Sequence, residues 1–485
     1  MLSGCVAVGP DYVRPGVNSH AEFLSSASLD VGAQIDPNVG QQQRLNPERD
    51  VGADWWTEFG SAELNELVEE SLRNNPDLDA AQAALRKAQE EAASAGGALF
   101  PRMDVLVSHS RQQNVIAATG RPGVYSLAGA SVAVAYDMDV FGGIRRSVEA
   151  MDARAEGRGY ELEAAYLSLS ANVVTAVITE ASLREQLQAI HALIDTQRAY
   201  LHVLETRHAA GDVSLVEVAS QRAIVAQTQA TLPPRQKRLA QQRHRLAIYL
   251  GRFPTEFQES ESSLIKLALP NELPLAVPSA LLNQRPDIRA AEANLKRANA
   301  DIGVAIADLL PRLSLSAGYG SRASQIGDLF STGSILWNLL GSAAQNVFDG
   351  GRLTHRRHAA EADFQQAAAV YRSVAMNAFG QVVDTLTALE SDAALLQAEY
   401  AAEVATEQSL RIAQGHFDAG AGDQALILIA QAKLLNARLG RINAQALRLN
   451  NTVALYQALG GGWWNRKAPL ADAQGGPGAD AAHSQ

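Results

Sequence analysis

Two hydrophobic periods alternate along this chain. From Asp77 to Leu99, Leu78, Ala81, Leu85 and Ala88 recur at helical spacing, and Pro101 ends the run. Asp287 to Leu310 repeats the pattern and stops at Pro311. After each proline the period falls from 3.6 to 2. Leu313, Leu315, Ala317 and Tyr319 alternate with Ser314, Ser316, Gly318 and Gly320. Val132, Val134, Tyr136, Met138 and Val140 alternate with Ser131, Ala133, Ala135, Asp137 and Asp139. These patterns predict strands with one apolar face and one small or polar face, although a sandwich strand over a core alternates in the same way. A long run without proline follows each strand pair. Gly143 to about His208 is 66 residues and Leu353 to Phe417 is 65. As a helix the first would span about 99 Å, far beyond an ordinary globular helix, so both read as coiled-coil-like rods. Val173, Val177, Ala181, Leu187, Ile190 and Ile194 form an apolar seam on the first rod. The rods turn back at Ala210-Gly211-Asp212 and Ala419-Gly420-Ala421-Gly422-Asp423, where glycine permits the positive φ of a helix C-terminus.

The order helix, strand, strand, long helix, helix occurs twice. At an offset of 210, eleven of 27 positions between Pro76 and Arg102 recur in the second half, Pro286-Asp287 and Pro311-Arg312 among them. Val140-Phe141 recurs as Val347-Phe348, and Ala247 and Tyr249 as Ala454 and Tyr456, at an offset of 207. The predicted first repeat covers 61–270, with strands about 102–113 and 125–140 and long helices about 144–208 and 214–251. The second covers 271–464, with strands about 312–321 and 334–348 and long helices about 353–417 and 424–459. Residues 5–60 read as an N-terminal anchor and extended segment. The Ala- and Gly-rich 465–485 reads as a disordered tail.

Four strands cannot close a barrel with a filled or open interior, since about eight are needed. A wet lumen on the small polar face and lipid on the apolar face, which carries Tyr319 and Trp337, would require several chains. Composition narrows the classes further. With 41 Lys+Arg against 52 Asp+Glu the net charge is −11, and no basic block suits nucleic acid. One cysteine excludes a disulfide framework and a cysteine-built zinc site. No run of 18 or more apolar residues marks a membrane helix, but alternating strands keep their apolar residues dispersed, so this bears on helical spans alone. No His-Glu-x-x-His, phosphate-cradling glycine loop or nucleophile elbow occurs, so neither an enzyme nor a cofactor is expected. His355 and His358 sit beside Arg352, Arg356 and Arg357, cations that disfavour a metal, and no metal site is expected there. Trp55-Trp56 and Trp463-Trp464 read as packing rather than as carbohydrate platforms.

Leu2-Ser3-Gly4-Cys5 resembles the lipobox of bacterial lipoproteins, whose thiol is acylated and whose preceding bond is cut. Residues 1–4 would then be the remnant of a signal peptide whose charged and apolar regions are missing here. Val6, where an Asp would indicate inner-membrane retention, points to the outer membrane. Several further motifs occur in order: Val8-Gly9-Pro10-Asp11-Tyr12, Trp55-Trp56 with Phe59, and Asn75-Pro76-Asp77-Leu78. Arg285-Pro286-Asp287-Ile288, Leu309-Leu310-Pro311-Arg312 and Phe348-Asp349-Gly350-Gly351-Arg352 follow. From Cys5 to about Trp464 the chain therefore resembles the TolC-like outer-membrane efflux proteins, in their NodT-type lipoprotein branch.

The resemblance implies a mainly α fold with a small membrane β part. Three copies would build a 12-stranded β-barrel on an α-helical barrel that extends into the periplasm. It implies a lipid-anchored outer-membrane exit duct that conducts drugs or other small molecules passively. Its partners would be a periplasmic adaptor and an inner-membrane pump of the resistance-nodulation-division type, with diacylglycerol and an N-acyl chain on Cys5. Gly211, Asp212, Val213, Ser214, Gly420, Ala421 and Gly422 would be the adaptor-contact tips, and Asp418 and Asp423 the periplasmic gate. Phe417 stands where a tyrosine is frequent and Gly422 where an aspartate is common. Type I protein secretion or metal efflux uses the same fold and stays open, as does a coiled-coil scaffold without a pore.

Overall fold

The computed structural model describes residues 7–16, 30–32, 40, 42–116, 121–256, 263–275, 278–419, 421 and 424–466. Cys5, Gly420, Gly422 and Asp423 lie outside these residues, as do residues 467–485 and the side chain of Asp418. In chain order the elements are β1 (Asp30–Val31), β2 (Gln43–Asn46), α1 (Ala62–Asn74), α2 (Pro76–Gly97), β3 (Arg102–Ile116) and β4 (Arg121–Met138). Next come α3 (Gly143–Ala209), α4 (Leu215–Ala230), α5 (Leu232–Tyr249), β5 (Glu272–Pro274), α6 (Pro278–Gln284) and α7 (Pro286–Ala307). The chain continues with β6 (Arg312–Ala323), β7 (Ile335–Ala344), α8 (Arg352–Asp418) and α9 (Gln424–Ala458). Duplication is visible in the lengths: α2 and α7 have 22 residues each, α3 and α8 have 67 each.

The chain divides into two compact units. The first takes Met1–Val17, Ala83–Tyr160 and Ala290–Ser373; the second takes Asn18–Gln82, Glu161–Arg289 and Val374–Gln485. The first unit holds an antiparallel sheet of order β3-β4-β6-β7. The second holds most of each long helix, together with α4, α5, α9 and a small sheet of order β1-β2-β5. In that small sheet Arg44 pairs with Glu272, a parallel pairing of distant segments that no local pattern announced.

In the second unit the seam on α3 is buried as expected, from Val173 to Ile194. Val174 and Ile178, beside the seam, have no exposed surface either, so the middle of this helix is covered over more than a stripe. Each such side chain contributes roughly 1.5–3 kcal/mol by burial. Crowding of apolar residues also gives α3 an 18-residue window of mean hydropathy 1.4, half of it buried within the chain, where the sequence reading found no membrane-helix candidate.

Several boundaries differ from expectation for identifiable reasons. The helix expected over 214–251 is two helices broken at Thr231, because Pro233 and Pro234 lack the N–H groups that would continue the ladder past Gln229 and Ala230. The expected tail begins too early. Trp463–Asn465 form a 3-10 turn, Asn465 donates to Asp50 Oδ2 at 2.8 Å, and Arg466 pairs with Glu163 at 2.9 Å. The strand expected over 334–348 ends at Ala344, because its partner β6 begins at Arg312, directly after Pro311.

Candidate functional site

The sheet of the first unit sorts its side chains by face. Register places Val105 opposite Val132, Val132 opposite Tyr319, and Tyr319 opposite Trp337. Continuing along the strands, this face carries Met103, Val107, Val134, Tyr136, Met138, Leu313, Leu315 and Leu339. Met103, Val105, Val107, Tyr319, Trp337 and Leu339 are all exposed. The opposite face carries Ser108, Ser110, Ser131, Ala133, Ser314, Ser316, Gly318, Gly320 and Ser342, with Leu106, Tyr125, Leu127, Leu336 and Leu340 as larger exceptions. An apolar face that covers no core, backed by a face of small polar residues, is the pattern of a strand between lipid and water. Among the described residues β3 and β7 are edges with no further strand beside them.

A strap formed by residues 7–16 is fastened where this sheet meets the helices. Val8 N–H donates to the Phe141 carbonyl at 3.0 Å, and Asn299 Nδ2 donates to the Pro10 carbonyl at 2.8 Å. Buried Arg146 on α3 donates to the carbonyls of Val8 (3.1 Å) and Gly9 (3.4 Å), to Asp11 Oδ1 (2.7 Å) and to Glu149 Oε2 (2.8 Å). Burial is the largest single influence on the Arg146 guanidinium and disfavours its charge, but the hydrogen bonds and charges of Asp11 and Glu149 together outweigh it, so the proton is held more tightly than usual. Gly303 on α7 makes the approach possible, since a Cβ there would meet Arg146 Cγ at 2.7 Å and Val8 O at 2.9 Å. Gly9, at φ +96°, would bring its own Cβ within 2.6 Å of Gly303 Cα. Sequence reasoning missed this clamp. A glycine inside a helix, at the position where the first repeat has Ala93, was the available signal.

At the far end of α3 the turn is fully described. Gly211 takes φ +82°, Asp212 N–H donates to the Arg207 carbonyl at 2.9 Å, and His208 Nδ1 meets the Val213 carbonyl at 2.8 Å. Ser214 and Glu217 form a capping box that starts α4. Gly211, Asp212, Val213 and Ser214 thus occupy one tight turn, with exposed Leu215 and Val216 beside it. At the second turn, Ala421 N–H donates to the His416 carbonyl at 2.9 Å, and Asp418 is the last residue of α8. Phe417 meets Tyr200 of α3 edge to face at 6.0 Å.

Ion pairs tie the helices of the second unit, another feature that sequence reasoning did not find. Arg441 on α9 reaches Glu403 on α8 at 2.6 Å and Glu185 on α3 at 2.8 Å, while Arg438 also takes Glu403, at 3.0 Å. Burial disfavours the Arg441 charge, but hydrogen bonding to Glu185 and the charges of both carboxylates outweigh it. The tryptophans pack as expected. Trp55 is buried and stacks on Tyr456 at 5.2 Å, Trp56 is buried beside it, and the indole N–H of Trp463 and of Trp464 donate to the Gln284 carbonyl and Asp50. His355 and His358 meet edge to face at 6.2 Å; neighbouring Arg356 pairs with Asp308 and Arg357 with Glu361.

A family model described as outer membrane efflux protein matches residues 67–252 and again 277–461. The chain belongs to this family. Among relatives, the pyoverdine export outer membrane protein OpmQ of Pseudomonas aeruginosa is 30% identical over 425 residues, 86% of this chain and 89% of that protein. The cation efflux system protein CusC of Escherichia coli is 28% identical over 469 residues, 95% of this chain and 96% of that one. The solved outer-membrane channel OprN superposes with a TM-score of 0.84 at 29% identity, covering 94% of this chain and 99% of that chain. This outer-membrane efflux channel is therefore mainly α with a small membrane β part, and it extends into the periplasm.

Proposed function

We propose that three copies of this chain form the exit duct of a tripartite efflux pump, passing small molecules from a periplasmic adaptor and an inner-membrane pump to the outside. The observation that carries the reading is the four-stranded sheet with an uncovered apolar face and two open edges. Three copies of four strands make twelve, enough to enclose a water-filled lumen, whereas one copy cannot close. Helices of 67 residues, about 100 Å long, supply the periplasmic walls. The pump partner is of the resistance-nodulation-division type. Relatives named for pyoverdine and for cations share the architecture, as suits a wide duct that has no fitted pocket to select cargo.

The turn of Gly211, Asp212, Val213 and Ser214 and that of Gly420, Ala421 and Gly422 meet the adaptor, a reading supported by exposed Leu215 and Val216 beside the first. Asp418 and Asp423 each recur three times around the entrance, and their like charges oppose closure unless cations or a partner intervene. Cys5 carries the lipid. Supporting this, Ala7 lies against Gly142 just past the end of β4, and two residues reach at most about 7.2 Å further.

Outer-membrane fractions examined by unheated gel electrophoresis and planar-bilayer recording test the duct. Heat-modifiable trimers with stable conductance are expected; a chain soluble without detergent and silent in bilayers overturns the reading. For the gate, Asp418→Ala and Asp423→Ala are expected to change closed-state conductance, and unchanged conductance in both refutes the assignment. Intact mass of membrane-extracted protein tests the lipid, which an unmodified Cys5 would exclude.

A further inference from the structure

Both edges of the four-stranded sheet lack a partner within one chain, and the internal duplication specifies what covers them. In the first hairpin Arg102 faces Ala135; in the second Arg312 faces Ala344. Because Arg312 is the repeat of Arg102, Ala344 is the structural repeat of Ala135, an offset of 209. The long helices keep the same offset, starting at Gly143 and Arg352 and ending at Ala209 and Asp418. The two repeats are joined by the β4–β6 ladder, which runs from Ala128 opposite Ala323 to Met138 opposite Leu313. Carrying β4 forward to β7 by 209 and β6 back to β3 by 210 turns these two pairs into Trp337 opposite Gln113 and Val347 opposite Met103.

We propose that β7 of one copy pairs antiparallel with β3 of the next copy in this register, and that residues 345–347 become strand when they do so. The proposal rests on the trimer reading and deepens it by fixing which residues meet across each subunit boundary.

Two observations support it independently. The first is facing. The register sets odd-numbered positions of β7 opposite odd-numbered positions of β3, so each face runs on across the boundary: Ala343 comes opposite Val107 and, beyond β7, Val347 opposite Met103, while Trp337 and Leu339 come opposite Gln113 and Arg111. A slip of one residue would join the face that carries Trp337 and Leu339 to the face of β3 that carries Ser108 and Ser110. On the other face Ser342 comes opposite Ser108.

The second is the overhang. Tyr136, Asp137 and Met138 extend β4 past the start of β3 and pair with β6 alone. Their repeats are Gln345, Asn346 and Val347, which have no rung because Pro311 precedes β6. Val347 and Phe348 are 93% and 89% exposed in the single chain. Matching Val140-Phe141 to Val347-Phe348 by residue type gives a register displaced by two, with Ser342 opposite Leu106. Backbone pairing decides for Ser108, because hydrogen-bond rungs define the strand position and residue types do not.

The test is disulfide formation in outer-membrane fractions of the full-length protein. Ser342→Cys is combined in turn with Ser108→Cys, Leu106→Cys and Ser110→Cys, then oxidised; each single variant controls for Cys5. Side chains directly opposite have Cβ atoms about 4.5–5.5 Å apart and diagonal ones about 7–8 Å, against about 3.5–4.5 Å in a disulfide. The Ser342–Ser108 combination is therefore expected to link neighbouring copies at least about tenfold faster than the other two. A trimer that links fastest through position 106 or 110, or through none of the three, overturns the register and leaves the trimer standing. A native protein with no trimer overturns both. If the double variant fails to assemble, hydrogen exchange on the unsubstituted trimer decides. Protected amides at 345–347 support the extended strand, and fast exchange there overturns it.

Discussion

Replacing Arg146 with Met should release the N-terminal strap while leaving the body of the channel folded. The size of the effect follows from the contacts. The bond to the Val8 carbonyl, 3.1 Å and made by a buried cation, is of the kind worth roughly 1.5–3 kcal/mol. The Gly9 bond at 3.4 Å lies beyond the usual range and counts for about half as much. Asp11 is 88% exposed, so its pair with Arg146 contributes little, about 0–1 kcal/mol. Together the clamp holds the strap by about 3 kcal/mol, which is roughly a hundredfold in the opening equilibrium. Hydrogen exchange of the Val8 amide, bonded to the Phe141 carbonyl at 3.0 Å, reports that opening directly. Arg146→Met should speed Val8 exchange about a hundredfold, Arg146→Lys by an intermediate factor, and Asp11→Asn by less than about fivefold. If Asp11→Asn equals Arg146→Met, the surface ion pair holds the strap and the carbonyl clamp does not. If Arg146→Met changes exchange by less than about fivefold, the whole energetic assignment fails.

Other perturbations test other contacts. Gly303→Ala should loosen the same strap, although alanine improves intrinsic helix propensity by about 1 kcal/mol, because its Cβ would press on Arg146 Cγ and Val8 O; slower or unchanged Val8 exchange would contradict this. Trp55→Ala removes the stack on Tyr456 and should cost about 3–5 kcal/mol, seen as a lower apparent Tm of the trimer, with Trp55→Phe costing less than half as much. Equal losses in the two variants would show that the stack is not what matters. Burial pushes the Glu163 carboxyl up, against the pull of Arg466. A carboxyl raised in the folded state favours folding on the acid side and loses that contribution as pH rises through its folded value. Glu163→Gln should therefore gain Tm relative to the parent as pH rises from about 4.5 towards neutrality, and a relative loss over that interval refutes the burial argument.

Much of this protein was written in local pattern. Pro101 and Pro311 end helices and start strands because a ring without an N–H cannot continue the ladder, and the same residues mark the duplication. Proline-free runs gave the two long helices to within two residues at either end, since helix formation depends on neighbours three and four positions away. Alternation at period 2 gave the two faces of the sheet and hence the argument that one chain cannot close it. The break at Thr231 was also legible in Pro233-Pro234, although the helix was expected to run through.

Tertiary structure alone decided the long-range pairings. Nothing local states that Arg44 pairs with Glu272, that the strap lies along α7 in the notch at Gly303, or that Arg441 gathers carboxylates from two other helices. Such contacts join residues far apart in sequence, where the only constraint is that backbone groups and charges find partners once the chain is packed. The end of β7 shows the difference most clearly. Sequence carried the strand to residue 348, while the folded single chain stops it at Ala344, because a strand extends only as far as a neighbour supplies rungs.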